Sequence, residues 1–516
     1  MKRSIAFLLC LLLLTGCQSE PPVVEEPPVQ QEEEQSEGVI ITLSDGAVNV
    51  QGDEDDAVYT ANDIVYYPSG KDFTFGEGTQ DDAHEQDEAD AHTVVHITKP
   101  GTYTVTGSME AGQIAVDLGD DAKDDPNAVV TLVLDNADIT CTVAPAIIFY
   151  NVYECANKDN ATKDVDTSDA GANVVLAPGS TNHISGSYVA KIYKEGTLEL
   201  SEDGTEVLDA KKLHKYDAAF YSKMSMNVDG SGTLNIEAEN EGLDSEMHLT
   251  IHGGEIHIQS GNDGINTNED GVSVTTIKGG LVDIVVTGET GEGDGIDSNG
   301  WLVIEGGTVQ ASACGVSADA GIDSDMGIYL DGGTVIASGH MLDRIEGGDA
   351  TYAVFHFSEP QTGGEVYSLK DADGETVLTA SPENGFSVLL VSGDALTEGD
   401  YSLYRGDMQL SVAMGGRGHG GMGRGEMPEG MEPPEGMPEG ERPEPPEGME
   451  FPEGMKPDNG ERPEPPEGMT PPEGMPEGEM PDGMTPPVGG GYMGEIGEAA
   501  PIVTIAKGEN YYIVVQ

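Results

Sequence analysis

The chain has 516 residues, of which 95 are Asp or Glu against 23 Lys or Arg, for a formal charge of -72 at neutral pH. That surplus of acid excludes nucleic acid as a natural partner, and it admits an acidic polymer only where divalent cations bridge carboxylates on both sides. The length leaves room for two or three domains, but composition divides the chain unevenly.

Residues 1–17, MKRSIAFLLCLLLLTGC, have a basic start and an apolar run too short to span a bilayer, which reads as a secretion signal. Its end, Leu14-Thr15-Gly16-Cys17, is similar to a bacterial lipobox, and that similarity implies cleavage before Cys17 and lipid on its sulfur. The expected location is the outer face of a cell membrane, anchored by lipid. Residues 18–92 form an acidic lead-in whose first part is a Pro/Glu-rich tether. In DDAHEQDEADAH, His84 and His92 read as parts of a solvated loop more than as metal ligands. Cys141 and Cys155 either pair or stay as buried thiols, and Cys314 sits in a core-like stretch.

From 93 to 150 the chain reads as strands with β-branched residues alternating inward: TVVHITKPGTYTVTGSM, GQIAVDL, AVVTLVLDNADIT and PAIIFYNV. A polar loop over 156–172 interrupts them. Four Gly-Gly pairs then recur, at 253, 279, 306 and 332, in steps of 26, 27 and 26 residues. Each divides two short alternating stretches, the signature of a stacked β-solenoid. Leu249/Ile251, Thr275/Ile277, Leu302/Ile304 and Ile328/Leu330 precede the pairs. Ile256/Ile258, Val282/Ile284, Val309/Ala311 and Val335/Ala337 follow them. Period-two alternation places all of these on one interior.

Each repeat carries a third element: EGLDSE, DGINTN, DGIDSN and AGIDSD. Leu243, Ile265, Ile296 and Ile322 are its inward residues. Next come Asp244, Asn266, Asp297 and Asp323, and two positions further Glu246, Asn268, Asn299 and Asp325, with Asp263 and Asp294 ahead of two of the glycines. Stacked at roughly 4.8 Å, these become columns of carboxylates and amides on one outer edge. Like charges in register need solvent, amides or a cation between them. Two readings stand: calcium held by oxygen ligands of neighbouring repeats, or an Asp/Asn turn ladder without metal.

Past 348, residues 349–412 carry further strands. Residues 413–490 are Gly-rich and then built from PEGM and PPEGM units, a composition expected to be disordered. Residues 491–516 return to a strand pattern.

GTYTVTGSM, AVVTLVLDNADIT, DGSGTLNIEA and the DGI[ND][ST] repeats together resemble the clostridial cell-surface carbohydrate-binding β-helix proteins. The resemblance covers 93–348. It implies a right-handed parallel β-helix that binds calcium, polygalacturonate and cellulose without catalysis, and it carries calcium ligation to Asp263, Asn266, Asp294, Asp297 and Asp323. Repeat position adds Asp244, Asn299 and Asp325.

Parallel β-helices also host pectate lyases and polygalacturonases, so an enzyme is the second reading and a structural or adhesive surface protein the third. A lyase needs a basic side chain near its metal, and 224–348 holds only Lys278 and Arg344 as cations. The repeats are regular, and no repeat stands out as an active one. Trp301, the single Trp, points outward beside Asp297 and is either a sugar-stacking platform or a cover for a neighbouring repeat. The expected protein is therefore an all-β, lipid-anchored parallel β-helix with a small C-terminal β segment, binding calcium and a pectin-like or cellulose-like polysaccharide.

Overall fold

A backbone that must turn back on itself every 26 or 27 residues needs a tight corner, and the Gly-Gly pairs supply it. The second glycine of each pair has positive φ: +100° at Gly254, +81° at Gly280, +78° at Gly307 and +76° at Gly333. L side chains rarely adopt that conformation. The first glycine is required for a different reason, because a Cβ at Gly279, Gly306 or Gly332 would lie 2.5–2.6 Å from a carbonyl oxygen of the preceding repeat.

The computed structural model describes residues 38–515 except 54–55, 202, 213–215, 416–497 and 509, and not the side chain of Asp159. Cys17 with its lipobox, the Pro/Glu-rich tether and the PEGM units lie outside the described residues.

The described chain is nearly all β and is built on long parallel ladders. The first ladder joins Gly101–Met109, Val130–Cys141, Ala172–Leu176, Met226–Gly230, His248–Ile251, Val274–Ile277, Trp301–Ile304, Ile328–Leu330 and Ile345–Gly347. The second runs from the end of Val130–Cys141 through Thr181–Gly186, Thr233–Ala238, Glu255–Ser260, Leu281–Val286, Thr308–Ser312 and Thr334–Gly339. The third joins Thr93–Ile97, Gly112–Asp117, Ile147–Asn151, Ala218–Ser222, Glu241–Ser245, Ile265–Thr267 and Ile296–Ser298. A parallel bridge between Ile296 and Ile322 extends it by one repeat.

Register follows the sequence pattern. Leu249, Thr275, Leu302 and Ile328 stack in one column and Ile256, Val282, Val309 and Val335 in another. Every inward position read from the four Gly-Gly repeats is buried, none more than 4% exposed. All the aliphatic ones belong to one continuous core.

The lead-in that follows the tether contributes strands of its own. Val39–Leu43 already pairs in parallel with Gly101–Met109, and Val58–Ala61 pairs antiparallel with Thr93–Ile97. Ile41 and Leu43 are buried, so a five-residue strand with two inward aliphatics suffices to dock on an existing ladder. His92 is buried too, with Nδ1 2.9 Å from the Glu88 carbonyl and Nε2 accepting the Thr142 amide at 3.2 Å. It pins the lead-in to the ladders. The three described cysteines are free thiols, with burial pushing Cys141 up to about 12 and Cys155 up to about 11.

Beyond the ladders, Phe386–Ser392 pairs antiparallel with both Thr334–Gly339 and Tyr352–Gln361. Tyr511–Val515 inserts between Tyr352–Gln361 and Ser411–Met414. Tyr367–Asp371, Thr376–Ala380, Gly399–Arg405, Met408–Gln409 and Val503–Ile505 make another antiparallel sheet. Phe357, Tyr367 and Phe386 meet edge-on in the core of this segment.

Ile277 is fully buried in the interior column. Ile277→Ala is expected to cost about 2–5 kcal/mol, read as a lower urea midpoint at unchanged slope.

Candidate functional site

In the third ladder, Leu243, Ile265, Ile296 and Ile322 point into the core, none more than 1% exposed. Two positions on, Ser245, Thr267, Ser298 and Ser324 are also buried and form a column of hydroxyls. Thr267 Oγ1 lies 2.8 Å from Ser298 Oγ, Ser298 donates to the Trp301 carbonyl at 3.0 Å, and Ser324 donates to the Gly300 carbonyl at 2.8 Å. These hydroxyls satisfy buried groups at the bend into the first ladder. The Ser/Thr of DGI[ND][ST] is plain in the sequence, but only the folded bend shows which carbonyl each one meets.

The intervening residue projects to the other side. Asp244 is in register with Asn266, and Asn266 with Asp297, while Asp323 follows the bridge partner of Ile296. The expected solvated edge is only partly realised. Asp244 is fully buried and Asn266 is 5% exposed, Asp297, Asn299 and Asp323 are half-buried, and Asp325 is exposed. The reason is that amides of one repeat close over carboxylates of the repeat before. Asn268 Nδ2 donates to Asp244 Oδ1 at 2.6 Å, and Asn266 Nδ2 to Glu241 Oε1 at 3.0 Å. Asn299 donates to the Asn268 carbonyl at 3.1 Å and to Asp270 at 2.9 Å. Ahead of the glycines, Asp263 Oδ1 accepts the Asp294 amide at 2.7 Å and Asp294 Oδ1 accepts the Ala320 amide at 2.6 Å. One carboxylate per repeat thus ties down the next.

Crowding of acids shows in their protonation. Burial, then the charges of Asp343, Asp297 and Asp325, pushes Asp323 up to about 8. Burial followed by Glu241 raises Asp263, and burial followed by Asp323 raises Asp294. Among the described residues, no three His, Cys, Asp or Glu side chains converge on one metal position. Oxygen donors are nevertheless concentrated here, and Asn266 Oδ1 and Asp323 Oδ1 are buried acceptors that meet no hydrogen-bond donor. Oxygen-only donors of this kind suit a hard cation such as calcium.

The outer faces of the ladders differ. The 156–172 loop lies on the first: Thr167 Oγ1 donates to Asn227 Oδ1 at 2.8 Å and lies 2.7 Å from Thr250, while Lys158 reaches Glu269 at 2.6 Å. On the third, Tyr216 from the segment between Gly186 and Ala218 sits edge-on to Tyr150 and Tyr221. On the second, the columns His183-Asn235-His257-Asp283-Gln310 and Ser185-Glu237-Gln259-Val285 are half-buried or exposed, while the next rungs, Ile336 and Ser312, are buried where Glu383 and Asn384 pack on the ladder. Two cavities, of about 360 and 460 Å³, follow this face and share Gln259 in their lining.

A family model described as carbohydrate-binding domain-containing protein matches residues 90–351, half of the chain. The chain belongs to this family. The match spans the three ladders with both the acid columns and the open face. A carbohydrate-binding domain-containing protein of Acetivibrio thermocellus is 29% identical over 167 residues, 32% of this chain and 45% of that protein. The chain therefore spans less than half the length of this relative. No solved structure matches.

Within the matched region, Trp301 is half-buried and opens a strand of the first ladder. It does not belong to the open second-ladder face, where the rings of the exposed columns are the imidazoles of His183 and His257. The metal candidates legible in the sequence belong to the third-ladder repeats because DGI[ND][ST] is conspicuous there. The second-ladder face gives no such motif, only polar residues alternating with Ile and Val.

Two outcomes follow. Ser298→Ala removes a buried hydroxyl that serves both Thr267 and the Trp301 carbonyl, and is expected to destabilise by about 1–3 kcal/mol in urea unfolding. For pH, the folded Asp323 holds its proton to about 8 against an ordinary value of 3.8, so between those values the native state binds more protons than the unfolded chain. The stabilising contribution is complete below 3.8 and is lost as pH rises through about 8. In chelator, melting temperature should fall from pH 5 to pH 8, and less steeply in Asp323→Asn.

Proposed function

We propose that this is a lipid-anchored, cell-surface protein that binds polysaccharide without cleaving it, with calcium held along the third ladder of a right-handed parallel β-helix. The observation that carries the reading is the carbohydrate-binding family match, which coincides with the ladders. Third, first and second ladder follow in the same order in every repeat, as the winding of a β-helix requires, and parallel crossovers favour the right hand. Calcium would draw on Asp297, Asp323 and the Asn266 amide oxygen. Acids alone do not make a closed cage here, so amide and main-chain oxygens would complete it. Bound calcium would supply the charge that joins an acidic pectin-like glycan to an acidic protein. A β-linked glucan is the other ligand class of this reading.

The absence of catalysis is supported by how the cations and acids are engaged. Lys278 lies 4.0 Å from Glu305, and Arg344 pairs with Glu346, two residues along the chain. Neither ion pair involves the carboxylate columns, where a lyase would need a base. Asp244 is closed over by Asn268, and Asp263 and Asp294 are occupied by amides of the next repeat. A hydrolase instead needs two carboxyl groups flanking an open sugar site. Cys17 and the segment after it would hold the ladders off the membrane.

The test is affinity electrophoresis of the full chain in polygalacturonate, with calcium and then with chelator, while absorbance from unsaturated products is followed. Retardation that needs calcium and releases no product is expected. Product release would make the protein a lyase, and no retardation in either buffer would leave a structural surface protein. Calcium at 100 times its dissociation constant should also raise stability by about 2.7 kcal/mol, and this gain should vanish in Asp297→Asn/Asp323→Asn.

A further inference from the structure

The open face of the second ladder has an electrostatic character of its own. Glu237, Glu239 and Glu289 line the first cavity, and Asp283 and Glu383 the second, and no Lys or Arg lines either. We propose that this face is a separate glycan surface for a cationic amino-sugar polymer, a linear β-linked chain carrying free amines. The proposal rests on the carbohydrate-binding reading and goes beyond it in site and in ligand charge.

The ladder presents one side chain per column every ~4.8 Å, polar at each open rung except Val285, in straight lines running across the strands. A linear polymer laid along such a line meets similar groups at each step, whereas a compact ligand would use only one or two rungs. Carboxylates in the lining are acceptors only, suited to ammonium groups through charge-assisted hydrogen bonds. Ser185, Thr287, Gln259 and Gln310 can exchange hydrogen bonds with sugar hydroxyls between them. Two acids are already oriented: Glu239 accepts from Ser187 Oγ at 2.5 Å, and Asp283 Oδ2 lies 3.2 Å from His257 Nδ1. This limits the side-chain entropy lost on binding.

The same features argue against the other glycan classes at this face. A polyuronate would bring like charge against Glu237 and Asp283, and the acids form no metal cluster among the described residues that could bridge it. A neutral glycan would meet no Trp, Tyr or Phe in the exposed columns, where the rings are the imidazoles of His183 and His257, and would bring no positive charge to the acids of the lining. Ion pairing with a polycation is what the lining favours.

The full chain is titrated calorimetrically, in chelator, with a β-1,4-linked glucosamine hexamer, its fully N-acetylated form and a cellohexaose. The amine-bearing hexamer should bind at least about tenfold more tightly than either neutral one, and weaken as salt rises from about 50 to about 500 mM. Glu237→Gln/Asp283→Asn should lose about tenfold in that affinity. Calcium-dependent retardation in polygalacturonate, which belongs to the third ladder, should persist in the variant and reports that it has folded. Equal binding of the three hexamers, or unchanged affinity in a folded variant, overturns the proposal. Polygalacturonate retardation without amine binding overturns it alone, whereas failure to bind any of these glycans removes the carbohydrate reading as well.

Discussion

The in-register parallel pairing of successive repeats is the constraint on which the rest depends. Once Leu302 lies over Thr275 and Val309 over Val282, every other position in the repeat is fixed against its counterpart one rung away. A slip of one residue would turn the aliphatic set outward, and burial of that set therefore specifies register strongly. The glycine pairs make the register reachable: a side chain at Gly280 would put its Cβ 2.4 Å from the Gly254 carbonyl.

A ladder that stacks like residues also stacks like charges, and the third ladder shows how the chain contends with this. Asn at 266 and 268 breaks the run of acids between Asp244 and Asp297, and each amide serves a neighbouring carboxylate. Asp263 and Asp294 are held by main-chain amides of the next rung. Those contacts do not remove the strain of burying acid, since Asp323 and its neighbours keep their protons well above the ordinary carboxylate range. Buried acids of this kind are neutralised by a proton, or, on the calcium reading proposed above, by a cation.

The interior was legible because two signals of different origin agree there: Gly-Gly pairs for the corner, and period-two aliphatics for the strands. Leu243, Ile265, Ile296 and Ile322 could be assigned inward from the repeat alone, and all are buried. Coverage of the outer faces was not legible. Nothing in ANKDNATKDVDTSDAGA indicates that Thr167 will bond Asn227 and Thr250, residues 60 and 83 positions away. Burial of Asp244 likewise depends on an amide 24 residues later. Local patterns report which side a residue faces; they do not report what else lies on that side.

Parallel ladders also leave unpaired edges, a standing invitation to pair with other chains. Here antiparallel strands close several of them: Asn49–Gln51 beside Val39–Leu43 on the first ladder, Val58–Ala61 on the third, and Phe386–Ser392 on the last rung of the second. Repeat arrays generally need atypical terminal units of this kind. Because the caps occupy the ends, the surface left for an extended ligand is lateral. Of the three lateral faces, one carries a loop and one carries its own amides and a tyrosine cluster. An extended ligand on any of these faces would lie along the direction of stacking itself, and the second ladder is the face where the chain leaves polar side chains in open columns.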